Sequence, residues 1–100
     1  MMNYNEYVKK LSNGETVSFR PRGSSMTPKI ESGQLVTITP VNPEDIGKGD
    51  IVLCKVKGRF FVHLVSAVQG QRFQISNNHN HVNGWVGVNG IFGKVTKIEK

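Results

Sequence analysis

Ile51-Val52-Leu53-Cys54-Lys55-Val56-Lys57-Gly58-Arg59-Phe60-Phe61-Val62-His63-Leu64-Val65-Ser66-Ala67-Val68 is the stretch that decides the fold class. Two runs rich in β-branched and aromatic residues flank a single glycine, which is the pattern of a β-hairpin with Gly58-Arg59 as its two-residue connection. On the second strand, residues 60–68, alternation puts Phe61, His63, Val65 and Ala67 on one face, so His63 sits among apolar neighbours. Cys54 alternates with Val52 and Val56 on the first strand and reads as an inert, buried thiol.

The same period extends outward. Residues 16–20 and 35–39 alternate, and Pro40-Val41-Asn42-Pro43 then breaks the run, since a central strand does not hold two prolines. Gly70-Gln71 turns into a strand over 72–76 with Phe73 and Ile75 on one face. A polar loop follows at 76–81, then an Asn83-Gly84 turn, a short strand over 85–88, an Asn89-Gly90 turn and a closing strand over 91–98. Only the N-terminus departs from this period. Tyr4, Tyr7, Val8 and Leu11 have helical spacing, and Ser12-Asn13-Gly14 stops the helix. The expectation is a mainly β, small and mostly antiparallel domain. Residues 1–14 form its one short helix and turn, and residues 15–100 form a single β body with Phe60, Phe61, Phe73 and Phe92 in the core. Tyr4, Tyr7 and Leu11 pack the helix across one end of the sheet or offer a partner surface.

One hundred residues suffice for one core. A hydrophobic share of 37% with 20% charged residues fits a folded domain without disordered tracts. The lone cysteine forms no intramolecular bridge, and no apolar stretch marks a signal peptide or membrane anchor. The expected location is therefore cytoplasmic, with no membrane partner. Thirteen Lys and Arg against seven Asp and Glu give a net charge of +6, which favours acidic partners. The basic residues are spread over three places, a weaker match to a nucleic-acid groove than to a protein or peptide partner.

Upstream of the hairpin, Gly23-Ser24-Ser25-Met26-Thr27-Pro28 puts a hydroxyl in a turn bounded by glycine and proline. Backbone amides around Ser24, Ser25 and Met26 are positioned to line an oxyanion site or substrate cleft. A serine needs a base to become a nucleophile, and the buried His63 is the candidate: burial keeps an imidazole neutral, the state a general base requires. A core histidine satisfied by a carbonyl is the competing reading.

The segments Gly23 to Ile30, Ser32-Gly33-Gln34-Leu35-Val36, Gly49-Asp50-Ile51-Val52-Leu53 and Phe61-Val62-His63-Leu64-Val65 together resemble the signal peptidase and LexA-type repressor superfamily of serine peptidases. A weaker match continues at Ile91-Phe92-Gly93-Lys94-Val95. The resemblance implies Ser25 as nucleophile and His63 as base, a Ser-His dyad with no cofactor. It also carries departures. Members with a histidine base usually have a further Gly-Asp downstream, whereas the corresponding stretch is Ser76-Asn77-Asn78-His79, and no acidic residue lies between Asp50 and Glu99. Gly33-Gln34 replaces a Gly-Asp, and Leu64 stands where an arginine often follows the base. Residues 1–22 offer no small-residue pair for self-cleavage. The minimal size suits a phage or mobile-element protein.

In the polar loop, Asn77 and Asn78 are candidates to orient His63. With His79, His81 and the aromatic Trp85 they also form a candidate partner loop, weighed against a long turn that caps its own backbone. His79-x-His81 lacks the carboxylates and thiols of a zinc site, so no metal is expected. Arg20, Arg22 and Lys29 form a basic rim around the serine turn. Three functions follow: a serine peptidase acting through Ser25 and His63; a weak or inactive member of the fold that binds protein, as a regulator or inhibitor; and a basic nucleic-acid-binding module. The oligomeric state is open.

Overall fold

The computed structural model describes residues 3–99. Helix α1 covers Tyr4–Ser12, and strands follow at β1 Val17–Phe19, β2 Leu35–Thr39, β3 Ile51–Val56, β4 Arg59–Gln69, β5 Arg72–Ser76, β6 Val82–Gly87 and β7 Ile91–Glu99. Short 3₁₀ turns occupy Pro43–Asp45 and Val88–Gly90. The fold is mainly β, as its alternating apolar residues require.

All seven strands join one antiparallel sheet in the order β1-β2-β7-β3-β4-β5-β6. The last strand is therefore internal, between β2 and β3. Val52, Leu53 and Cys54 of β3 are all fully buried, because β3 is covered on both faces. On one face Leu53 and Val62 join Val17, Phe19, Val36, Ile38 and Leu11. On the other, Val52, Cys54 and Val56 join Val65, Phe73, Ile75 and Val86. The two cores share the β7–β3–β4 backbone. Contact there is close: a Cβ on Gly93 of β7 would lie 2.6 Å from Ile38 Cγ2 and 2.8 Å from Thr39 O.

Helix α1 begins at Asn3, whose Oδ1 accepts from Glu6 N at 3.1 Å, and ends with Glu15 N donating to Lys10 O and Gly14 N to Leu11 O. Leu11 is buried, while Tyr4 stacks on Phe60 and Tyr7 on Phe19, so the helix caps one end of the sheet. Of the four phenylalanines expected in the core, Phe73 is fully enclosed. Phe60, Phe61 and Phe92 are half-buried, because they sit under the helix or at the site.

Two local expectations are corrected. The β3–β4 connection is Lys57-Gly58, with Val56 opposite Arg59. Both turn residues take positive φ (52° and 83°), the twist that suits a two-residue hairpin. Asn83-Gly84 does not turn the chain: both residues lie inside β6, which starts at Val82 rather than residue 85. Asn89-Gly90 does turn the chain, as expected, within a 3₁₀ turn.

Candidate functional site

Residues 20–34 connect β1 to β2 and carry Ser25. The connection is tied across its own base. Arg20 Nη1 donates to Gly33 O at 2.8 Å, Gly33 N to Pro21 O at 3.0 Å, and Gly23 N to Ser32 Oγ at 3.1 Å. Met26 and Ile30 sink into the first core at 4% and 3% exposure, so the turn is anchored by apolar burial immediately after Ser25. Met26 thus contributes its side chain to the core and its backbone to the site.

His63 lies on β4 opposite Val52, 6% exposed, with its ring stacked on Phe61 at a centroid distance of 4.6 Å. Its Nε2 is 3.1 Å from Ser25 Oγ. Its Nδ1 is 2.8 Å from Asn83 Oδ1. An amide oxygen only accepts, so Nδ1 carries the ring proton and Nε2 presents its lone pair to the serine hydroxyl. Burial pushes the imidazole pKa below its ordinary value, the charge of His81 acts in the same direction, and the Asn83 bond opposes them. The ring is neutral at neutral pH.

Asn83 reaches His63 from two strands away. Neighbouring strands lie ~4.8 Å apart, so a flat sheet would separate β4 from β6 by about 10 Å. The β3–β6 half instead curls over its own core, bringing Val86 of β6 into one cluster with Val52 and Val56 of β3. A β-bulge completes the approach. Ile75 pairs with Gly84 and Ser76 with Val82, leaving Asn83 unpaired and its side chain redirected. Gly84 makes this possible, with φ of +148° and a Cβ position only 3.1 Å from Val56 Cγ1. The residue on the imidazole is therefore Asn83, not Asn77 or Asn78.

Those two asparagines do other things. Asn77 Oδ1 accepts from His79 N (2.8 Å) and His81 N (3.0 Å), capping its own loop, and Asn80 is left-handed at φ 67°. Asn78 clamps the serine turn: its N donates to Ser25 O at 2.8 Å and its Nδ2 to Thr27 O at 2.8 Å. His79 Nε2 adds a bond to Ser24 O at 3.0 Å. The loop is thus half self-capping turn and half brace. The sequence pattern places Asn83-Gly84 in a turn and does not show the contact of Asn83 with His63. The available signal was an Asn-Gly pair inside an otherwise alternating run.

Trp85, 38% exposed, stands on β6 opposite Gln74 and is not gathered at Ser25. Arg20 and Arg22 line a groove with α1, whereas Lys29 lines a separate depression with Lys48 and Asn80, so the three do not form one rim. Beside Ser25, a cavity of about 40 Å³ is enclosed by Pro21, Arg22, Gly23, Met26, Ile30 and Val62. Among the described residues, no protein acceptor pairs with the main-chain N–H of Ser25 or Met26. Asp50 is held by Lys94 Nζ at 3.3 Å and by Gly47 N at 2.8 Å. Cys54, fully buried, has its thiol pushed up to about 12 by desolvation and takes no part.

Among the described residues no three His, Cys, Asp or Glu side chains gather as metal ligands, and no helix is long and apolar enough to cross a membrane. No curated protein matches the chain. The family model described as "Peptidase S24-like" matches residues 2–95, nearly the whole chain, with the serine turn and His63 inside the match, and the protein belongs to that family.

Proposed function

We propose that the protein is a serine peptidase whose reaction is carried by Ser25, His63 and Asn83. The supporting observation is the unbroken chain from Ser25 Oγ to His63 Nε2 and from His63 Nδ1 to Asn83 Oδ1. Ser25 Oγ attacks the carbonyl carbon of a bound peptide while its proton passes to Nε2. The resulting imidazolium returns that proton to the leaving amine, and a water molecule then releases the acyl group by the same route. The N–H groups of Ser25 and Met26 are available to the oxyanion. The small cavity beside Ser25 suits a side chain of about methyl size.

Asn83 holds the tautomer that catalysis needs but brings no charge to the imidazolium. In a Ser-His-Asp triad, changing Asp to Asn costs about 10⁴-fold, largely because the amide imposes the wrong tautomer. Here the amide oxygen faces the ring and keeps the right one, so the loss is smaller and the enzyme is slow rather than dead. A second reading, a non-catalytic binding domain of the same family, is favoured by the same absence of a carboxylate on His63. A fluorophosphonate probe separates the two. Labelling of the wild type that disappears in Ser25→Ala supports the peptidase, and no labelling between pH 6 and 9 supports the binding domain.

A further inference from the structure

The groove between α1 and the serine connection is not used by the chemistry above. It holds about 400 Å³ and is lined by Tyr4, Tyr7, Phe19, Arg20, Pro21 and Arg22, with Asn3 at its end. Its floor is a packed aromatic set: Tyr7 stacks on Phe19 at 4.2 Å, and Tyr4 meets Phe19 edge-on at 5.6 Å. Its wall is cationic. Arg20 and Arg22 are exposed, neither has a carboxylate within salt-bridge distance among the described residues, and no Asp or Glu lines the groove. Arg20 has one Nη1 engaged with Gly33 O, which fixes its position, while Arg22 has no such tie.

Pro21 and Arg22 belong both to this groove and to the small cavity beside Ser25. The two depressions therefore adjoin at Pro21–Arg22. From Arg22 to Ser25 the chain advances three residues, at most about 11 Å, so an extended peptide crosses that distance in about three residues. A peptide seated with a small side chain at Ser25 would lay its next few residues along Pro21–Arg22 and into the aromatic floor.

We propose that this groove is an outer recognition site for the peptide bound at Ser25, selecting a segment with a carboxylate and an aromatic side chain about three residues from the small residue. The inference rests on the reading of Ser25 as the peptide-binding centre. The carboxylate pairs with Arg22, in the fork geometry that guanidinium offers, and the aromatic ring extends the Tyr7–Phe19 stack. The net charge of +6 attracts the same ligands over longer range.

The test measures fluorescence anisotropy of labelled nine-residue peptides on full-length Ser25→Ala, so that binding is read without cleavage. Each peptide has a central Ala and a Glu-Phe pair three residues away, on its amino side in one series and its carboxyl side in the other. Replacing Glu by Lys, or Phe by Ala, is expected to weaken binding about three- to tenfold each in one series. Arg22→Glu in the same background, at an exposed position that does not disturb the core, is expected to invert the preference between Glu and Lys peptides. Affinities equal within twofold in both series, or a Glu preference that survives Arg22→Glu, would overturn the proposal. Failure here with intact fluorophosphonate labelling of the wild type removes the groove and leaves the peptidase. Selective binding without labelling removes catalysis and leaves the groove.

Discussion

Ser25 and His63 meet within hydrogen-bond distance, yet the two halves of the molecule hold them by different means. His63 is held by strand register. It sits on the long β4, paired with β3 on one side, and its ring is fixed between Phe61 and Asn83. Ser25 is held by a loop that has no strand of its own. Its position depends on two buried side chains, Met26 and Ile30, and on polar bonds from residues more than fifty positions away, Asn78 and His79. Register is cooperative and resists single changes, whereas a brace made of a few side-chain bonds can be removed one bond at a time. Ser25 is therefore the adjustable partner and His63 the fixed one.

The largest effect is expected where the two halves join. Gly93 on β7 leaves no space for a methyl group, since Ile38 Cγ2, Thr39 O and Leu11 Cδ2 all lie within 3.1 Å of its Cβ position. One of those atoms is backbone and the others are in the core, so Gly93→Ala must displace β7 from β2. A loss of ~3 kcal/mol is expected, read as a lower urea midpoint. Because β7 also pairs with β3, the unfolding should stay a single transition. Two separated transitions would mean that the halves are independent and that the comparison between them is one of two domains.

A smaller effect is expected at the brace. Asn78→Ala keeps the backbone bond to Ser25 O but removes the side-chain bond to Thr27 O. The structure should lose about 1 kcal/mol. The rate of fluorophosphonate labelling should fall about tenfold while its pH dependence stays unchanged, since His63 is untouched. A labelling rate equal to wild type would show that Met26 and Ile30 alone hold the turn. A shifted pH midpoint would show that the loop acts on the base as well.

The same contrast explains which parts of the molecule could be read from the chain. Strands β2 and β5 match their expected limits because their alternation is uninterrupted and flanked by Pro or Gly. The apolar setting of His63 follows from the period of β4. The supports of Ser25 were hidden, because nothing local in Asn78 or His79 indicates a partner at residues 24–27. Asn83 was hidden for a different reason. Asn-Gly is the strongest short hairpin signal, and only the curl of β6 over β3 lets the pair serve as a bulge inside a strand. The error of one residue at Lys57-Gly58 has a related origin: the turn needs positive φ at two positions, and only one of them is a glycine.

The most discriminating change is at the fixed partner. Burial holds the His63 pKa below its ordinary value near 6.5, so labelling of Ser25 should rise through a midpoint below that value and level off at neutral pH. Stability follows the same group. The folded pKa lies under the unfolded one, so the folded state binds fewer protons in the interval between them. The stability contributed by the neutral ring is complete above pH 6.5 and is lost as pH falls through the folded pKa. Asn83→Asp places a carboxylate where the amide oxygen accepts from Nδ1, and an anion at that distance favours the imidazolium. The midpoint should move upward past its wild-type position, and the plateau labelling rate should increase about tenfold as the charge of the transition state gains a partner. An upward midpoint with no gain in rate would show that proton transfer to His63 does not limit the reaction, and that the looser serine turn does.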